Sequence, residues 1–230
     1  MDKQYKTCYI AFLDMLGFKN LIKRSECQDI WEIYTNIKNP IKKIYVGDEN
    51  GKAKAIDAAE AVNIKVMSDS ICFYVDASLP NALFCLLMSC AAFQDKLLTL
   101  PEPVLIRGAI TVGNLFAEGD ITYGPGLTEA YLMEEKSAKY PRIIITKNTL
   151  EHGMENTDVN GTLNVFDPVF CDFDDFYTVD YIAAPNSSEA ERDRWNPVYN
   201  YVVNKLSSET DNNIREKYLY LKKRLSVIIK

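Results

Sequence analysis

The sequence predicts a single α+β domain, and three stretches carry the prediction. Tyr9-Ile10-Ala11-Phe12-Leu13-Asp14-Met15-Leu16-Gly17-Phe18 is an apolar run that ends in a carboxylate and turns on a glycine. A strand apolar at every position is buried on both faces, so Asp14 stands at the rim of a sheet. Residues 62–67 and 71–75 are strand-like and flank Ser68-Asp69-Ser70, which reads as a hairpin with Asp69 at its tip. Residues 82–88 are apolar nearly all round, the pattern of a helix buried in the core or against another subunit. Asp14 and Asp69 are expected to meet and hold metal.

The chain has 230 residues, enough for one well-buried domain, and at 47% hydrophobic and 25% charged it has an ordinary soluble globular composition. Its net charge of −6 disfavours a general nucleic-acid or anionic-membrane binder, which presents a basic face. A polyanionic small substrate fits if metal ions and local cations neutralise it. The start Met1-Asp2-Lys3-Gln4-Tyr5-Lys6 is polar, and no apolar run is long enough to span a bilayer, so a cytoplasmic location is expected. Six cysteines without a Cys-x-x-Cys pair read as reduced core thiols. The single histidine, His152, reads as a loop residue.

After the first strand, residues 19–38 read as helix in two pieces, with capping-box spacing at Ser25 and Gln28 and an apolar face of Ile30, Ile33, Tyr34 and Ile37. Asn39-Pro40 ends it. Residues 47–58 lack a period and read as an exposed connection. Residues 79–98 read as helix with Pro80 in the first turn, closed by Pro101 and Pro103. A strand over 104–112 contains Arg107, either an edge residue or a cation aimed at the active face. From Gly113 the chain is expected to turn repeatedly on glycine, forming a hairpin that feeds a helix over 127–139. Gly124-Pro125-Gly126 either cradles phosphate or makes a tight turn. Residues 141–146 read as strand. In 170–181 the acids Asp172, Asp174, Asp175 and Asp180 alternate with aromatics, as a cation site or a solvated loop. Residues 189–206 and 210–230 read as helices, the last with a seam of Ile214, Tyr218, Leu221, Leu225 and Ile228.

This order of elements is a ferredoxin-like α+β plan with insertions. With its residues, it resembles the catalytic domain of class III nucleotidyl cyclases over residues 7–147, leaving 148–230 as a C-terminal extension with extra helices. The matching motifs are Phe12-Leu13-Asp14-Met15-Leu16-Gly17-Phe18, Lys65-Val66-Met67-Ser68-Asp69-Ser70, Ile106-Arg107-Gly108-Ala109-Ile110-Thr111-Val112-Gly113 and Tyr123-Gly124-Pro125-Gly126. The resemblance implies a homodimer with interfacial active sites. It also implies two Mg²⁺ or Mn²⁺ ions held by Asp14, Asp69 and the main chain near Met15, and in-line attack of the ribose 3′-hydroxyl on the α-phosphorus with loss of pyrophosphate. By the same resemblance Arg107 binds phosphate, and Gly17 and Phe18 lie against the substrate.

Departures from the family pattern narrow the expectation. Purine cyclases read the base with a lysine, kept as Lys65, and an acid, replaced here by Ile121. The family's transition-state Asn and Arg align with Thr128 and Leu132; Thr128 can donate a hydrogen bond, and Leu132 cannot replace a guanidinium. With both metal acids kept, the chain resembles the pyrimidine cyclases of bacterial Pycsar anti-phage systems, which make 3′,5′-cyclic UMP or CMP for a separate effector. Arg142, with Lys139 behind it, is then the expected substituting cation. An adenylate or guanylate cyclase and an inactive nucleotide-binding dimer module are the alternatives.

Overall fold

A computed structural model describes residues 3–38, 44–47, 53–56, 61–155, 164–182 and 189–229. The centre of the sheet is β1 (Lys6–Met15), the apolar run, with Tyr9, Ile10, Ala11 and Leu13 shut off from solvent on both faces. It pairs antiparallel with β5 (Ser70–Asp76) on one side and β6 (Ile106–Glu118) on the other. Beyond β5 lies β4 (Asn63–Met67), joined through the turn at Asp69. Beyond β6 come β8 (Ile143–Ile145), parallel to it, then β10 (Tyr177–Val179) and β9 (Val169–Cys171). The short β7 (Ile121–Tyr123) folds back on the far end of β6.

Among the described residues, seven helices cover this sheet. Alternate β1 residues Tyr9, Ala11, Leu13 and Met15 face the main core. That core is built with α1 (Phe18–Arg24), α2 (Cys27–Lys38), α3 (Ala82–Leu98), α5 (Lys147–Glu155), α6 (Glu189–Ser208) and α7 (Asn212–Ile229). The other face, with Cys8, Ile10 and Phe12, is covered by α4 (Pro125–Ser137) through Ala130 and Leu127. The C-terminal helices therefore complete the main core, with Leu221, Leu225 and Ile228 of the expected seam buried in it.

Several expected boundaries move for local reasons. Residues 44–47 and 53–56, in part expected as connection, pair as a hairpin of β2 (Ile44–Gly47) and β3 (Ala53–Ile56). The α2 cap is made by Asp29, whose carboxylate accepts from Glu26 N–H at 2.9 Å, while Ser25 closes α1; Ile37 and Asn39-Pro40 lie outside the residues whose side chains are described. Pro80 precedes α3 in a turn that ends at Asn81 in the left-handed region. His152 belongs to α5, with Nδ1 2.8 Å from the Tyr9 hydroxyl, instead of a loop. The cysteines are free thiols, four buried as expected and Cys27 and Cys171 exposed.

The chain does not turn at Gly113; β6 runs on to Glu118 and turns at Gly119. Gly113 is needed because helix α4 lies on the strand there. A Cβ at Gly113 would stand 2.8 Å from the Gly126 Cα, and a Cβ at Gly126 would meet the same glycine and the Ile10 side chain. Thr111 Oγ1 adds a hydrogen bond to the Gly126 carbonyl at 3.1 Å. Gly126→Ala is therefore expected to destabilise the fold by about 1–3 kcal/mol, the usual cost of forcing extra volume into a packed contact; urea denaturation measures it.

Candidate active site

Asp14 on β1 stands directly opposite Arg107 on β6, so their side chains leave the same face of the sheet as neighbours. Arg107 Nε donates to Asp14 Oδ2 at 3.1 Å, and Nη1 donates to the Ala138 carbonyl at 3.3 Å. Both side chains are about a quarter exposed or less, so this pair is partly desolvated yet reachable. The open alternative for Arg107 is thereby narrowed: it is a central-strand residue facing a carboxylate.

The hairpin tip is fastened to the same strand end. Met15 N–H donates to the Asp69 carbonyl at 3.0 Å, and Asp14 is in register with Ser70. Ser68 adopts a positive φ of 55°, and its carbonyl accepts from the Tyr34 hydroxyl of α2 at 2.5 Å. These bonds bring the Asp14 and Asp69 main chains side by side. Gly17, at φ 77°, turns the chain out of β1 into α1. The Phe18 ring is buried against Tyr34, so its contribution to an incoming ligand is limited to the main chain.

One residue at this site is absent from the sequence expectations. Glu134 of α4 is 3% exposed and holds Oε1 2.7 Å from Arg107 Nε, without the alignment of a hydrogen bond. Burial pushes its carboxyl up to about 7; the Arg107 guanidinium opposes the shift, and the Asp14 and Glu135 charges add to it. The folded protein thus binds a proton that the unfolded chain releases near the ordinary value of 4.5. In metal-free protein this contribution to stability is full below about 4.5 and is lost as pH rises through about 7. Glu134→Gln is expected to flatten stability against pH across that window, read by thermal melts at pH 4.5 to 7.5.

Lys65 lies on β4, and its ammonium donates to the Gly119 carbonyl at the β6–β7 turn. Ile121, 62% exposed, begins β7 just beyond that carbonyl. Lys65 is four residues before Asp69, about 13 Å along an extended strand. Thr128 and Leu132 are exposed one turn apart on α4, beside a cavity of about 610 Å³ that also meets Lys136. Thr128 Oγ1 bonds back to the Gly124 carbonyl at 3.3 Å. The close Gly113–Gly126 packing gives the Gly-Pro-Gly turn a structural reason that needs no phosphate.

Arg142 is elsewhere. Its side chain is wholly buried, with Nη1 2.6 Å from Asp172 Oδ2 and 2.8 Å from Asp174 Oδ1, and Nη2 on Asp174 Oδ2. The rings of Tyr140, Phe173, Phe176 and Tyr220 surround it, with centroids 5.4 to 5.9 Å from the guanidinium carbon. A wholly buried guanidinium held by two carboxylates through Nη1 and Nη2 and enclosed by aromatics is not presented to a substrate, which corrects the expectation that Arg142 substitutes for the missing cation. Of the acids of 170–181, Asp172 and Asp174 hold this arginine and Asp180 pairs with Arg224 at 2.7 Å, while Asp175 is exposed in the turn, as the solvated-loop reading expects. Lys139, behind it, is exposed.

Among the described residues, no group of three or more His, Cys, Asp or Glu side chains is placed to hold a metal, and no helix is long and apolar enough to cross a membrane. No family model and no curated protein matches the chain. Solved structures do match. The monomeric guanylyl cyclase domain of the RhoGC fusion protein from the aquatic fungus Blastocladiella emersonii is 14% identical, with a TM-score of 0.53 over 77% of this chain and 96% of that one. The catalytic core of a rhodopsin-guanylyl cyclase with converted specificity, in complex with ATPαS, is 14% identical, with a TM-score of 0.52 over 77% and 97%. At such identity the likeness is one of fold: the α+β architecture of this chain is that of class III cyclase catalytic domains.

Proposed function

We propose that this protein is a nucleotidyl cyclase that converts a pyrimidine nucleoside triphosphate, UTP before CTP, to its 3′,5′-cyclic monophosphate and pyrophosphate. The observation that carries the reading is the Asp14–Arg107 pair fastened beside the Asp69 turn, on a class III cyclase fold. Asp14, Asp69 and the main chain near Met15 offer hard oxygen donors. Such donors suit Mg²⁺ or Mn²⁺, which rely on one or two carboxylates plus substrate phosphates. Two such ions, when bound, activate the ribose 3′-hydroxyl and neutralise the triphosphate. Arg107, drawn off Asp14 in that state, is placed to pair with a phosphate oxygen, and Glu134 keeps its guanidinium at the strand end.

The preference for UTP rests on family prevalence, and Lys65 is compatible with it. An ammonium only donates. Uracil presents a carbonyl acceptor where cytosine presents an amino donor, and Ile121 supplies no acceptor for the adenine amino group. Exposed apolar side chains at Met67, Ile121, Tyr123, Tyr131 and Leu132 suit a homodimer with interfacial sites. The cyclic nucleotide would act on a separate effector in anti-phage defence, as the Pycsar resemblance implies.

A second reading, a nucleotide-binding dimer module without turnover, is favoured by one observation: Leu132 stands exposed where the family places its transition-state arginine. Incubating purified protein with each of the four ribonucleoside triphosphates and Mn²⁺, with products identified by chromatography and mass, separates the readings. Cyclic UMP or CMP as main product is expected. Cyclic AMP overturns the pyrimidine assignment, and nucleotide binding without product establishes the module.

A further inference from the structure

The turn that carries Asp69 is held from two sides. Ser68 and Asp69 are the two residues between the paired Met67 and Ser70, a two-residue hairpin loop. Ser68, the first of them, has φ 55°, where a Cβ crowds the chain and where such loops favour glycine. From β1, Met15 N–H donates to the Asp69 carbonyl at 3.0 Å; from α2, the Tyr34 hydroxyl donates to the Ser68 carbonyl at 2.5 Å. Burial, and after it the Asp69 charge, raises the Tyr34 phenol above its ordinary value, so the hydroxyl keeps its proton and donates. The Tyr34 ring also meets the Phe18 ring edge-on, with centroids 6.3 Å apart, and Phe18 follows Asp14 by four residues. One side chain thus touches the segment just after Asp14 and the residue just before Asp69.

We infer that Tyr34 is a positioning residue for metal binding, its hydroxyl fixing the Ser68 turn so that the Asp69 carboxylate is held beside Asp14. The Asp69 side chain makes no ion pair among the described residues, so its place is set by the main chain of its turn. That main chain is strained at Ser68, and a strained residue persists only where its surroundings over-determine it. The Tyr34 hydrogen bond supplies this constraint from a helix outside the sheet. Without it the Met67–Ser70 pairing remains, and the two residues between are free to relax toward conformations that serine prefers. The inference rests on the cyclase reading for the identity of the ligand, a divalent cation, and adds to that reading a residue that touches neither metal nor substrate.

Tyr34→Phe in the full chain tests it, because phenylalanine keeps the ring against Phe18 and deletes only the hydroxyl. Exchange of the Met15 amide proton, followed by NMR in metal-free protein, is expected to quicken about fivefold, the worth of one hydrogen bond. Binding of Mn²⁺ alone, followed by electron paramagnetic resonance, is expected to weaken about tenfold, the low end of what losing a partner that orients a metal ligand costs. Tyr34→Phe/Ser68→Gly is expected to regain most of that affinity, since glycine takes the positive φ unaided. Unchanged Met15 exchange or equal Mn²⁺ affinity in Tyr34→Phe overturns the inference. So does a double variant without recovery, which places the loss outside the turn. Wild-type protein that binds no Mn²⁺ overturns the metal reading and the role of Tyr34 together. Protein that shows both shifts yet makes no cyclic nucleotide keeps the role of Tyr34 and loses only turnover.

Discussion

On the proposed cyclase reading, Asp14→Ala is expected to reduce cyclic nucleotide formation by at least about 10²–10³-fold, the scale of losing one preorganised charge-stabilising group, while leaving the protein folded. The two effects separate because of how Asp14 is held. It shares Arg107 with Glu134, so its removal does not leave the guanidinium without an anion. Destabilisation should therefore stay below the roughly 3–5 kcal/mol that follows when a buried charge is orphaned. A second consequence is local: the Asp14 charge helps hold the Glu134 carboxyl up, so Glu134 should titrate lower in the variant. Quantifying cyclic product and following the Glu134 carboxyl by NMR in the same preparation checks both. Asp69→Ala is expected to match the loss of turnover. Wild-type turnover in either variant removes the two-metal mechanism.

What the sequence made readable here, and what it hid, divide by whether the residue itself closes a local pattern. Asp14 and Asp69 were visible because each closes a local pattern, a fully apolar strand in one case and a hairpin tip in the other. That their main chains lie side by side depends on the pairing of β1 with the distant β5, which neither local pattern shows. Arg107 stayed ambiguous because a cation in a strand acquires meaning only from the residue across the ladder. Glu134 was overlooked although a signal existed: Gly126, Ala130, Glu134 and Ala138 recur every four residues, a stripe of small side chains that marks the face of α4 laid on the sheet. A carboxylate inside such a stripe is buried and must find a cation. Arg142 was misread for the opposite reason. Its partners lie 30 and 32 residues downstream in what resembled a polar loop, and no local pattern joins them.

That misreading yields the second large effect. Arg142→Ala is expected to destabilise the fold by about 3–5 kcal/mol, a large part of the roughly 5–15 kcal/mol that a domain has in total. The substitution removes a guanidinium at zero exposure and leaves the Asp172 carboxylate, itself 9% exposed, without its cation. It also empties the box formed by Tyr140, Phe173, Phe176 and Tyr220, and Tyr220 is the α7 residue whose hydroxyl donates to Asp172 at 2.7 Å. Arg142→Lys should fail nearly as badly, because an ammonium cannot pair with two carboxylates and stack on four rings together. The acid limb carries the same signature. The hydrogen bond from Arg142 holds the Asp174 carboxyl below its ordinary value, so that part of the stability is present above about 3.8 and disappears as pH falls through the depressed value. Arg142→Ala should lose this acid-sensitive component. Guanidinium denaturation at neutral and acid pH measures both effects. A variant that keeps wild-type stability but loses turnover would return Arg142 to the active site; a variant that loses stability, with the remaining folded fraction still active, fixes it as the tie between β8, the β9–β10 hairpin and the last helix.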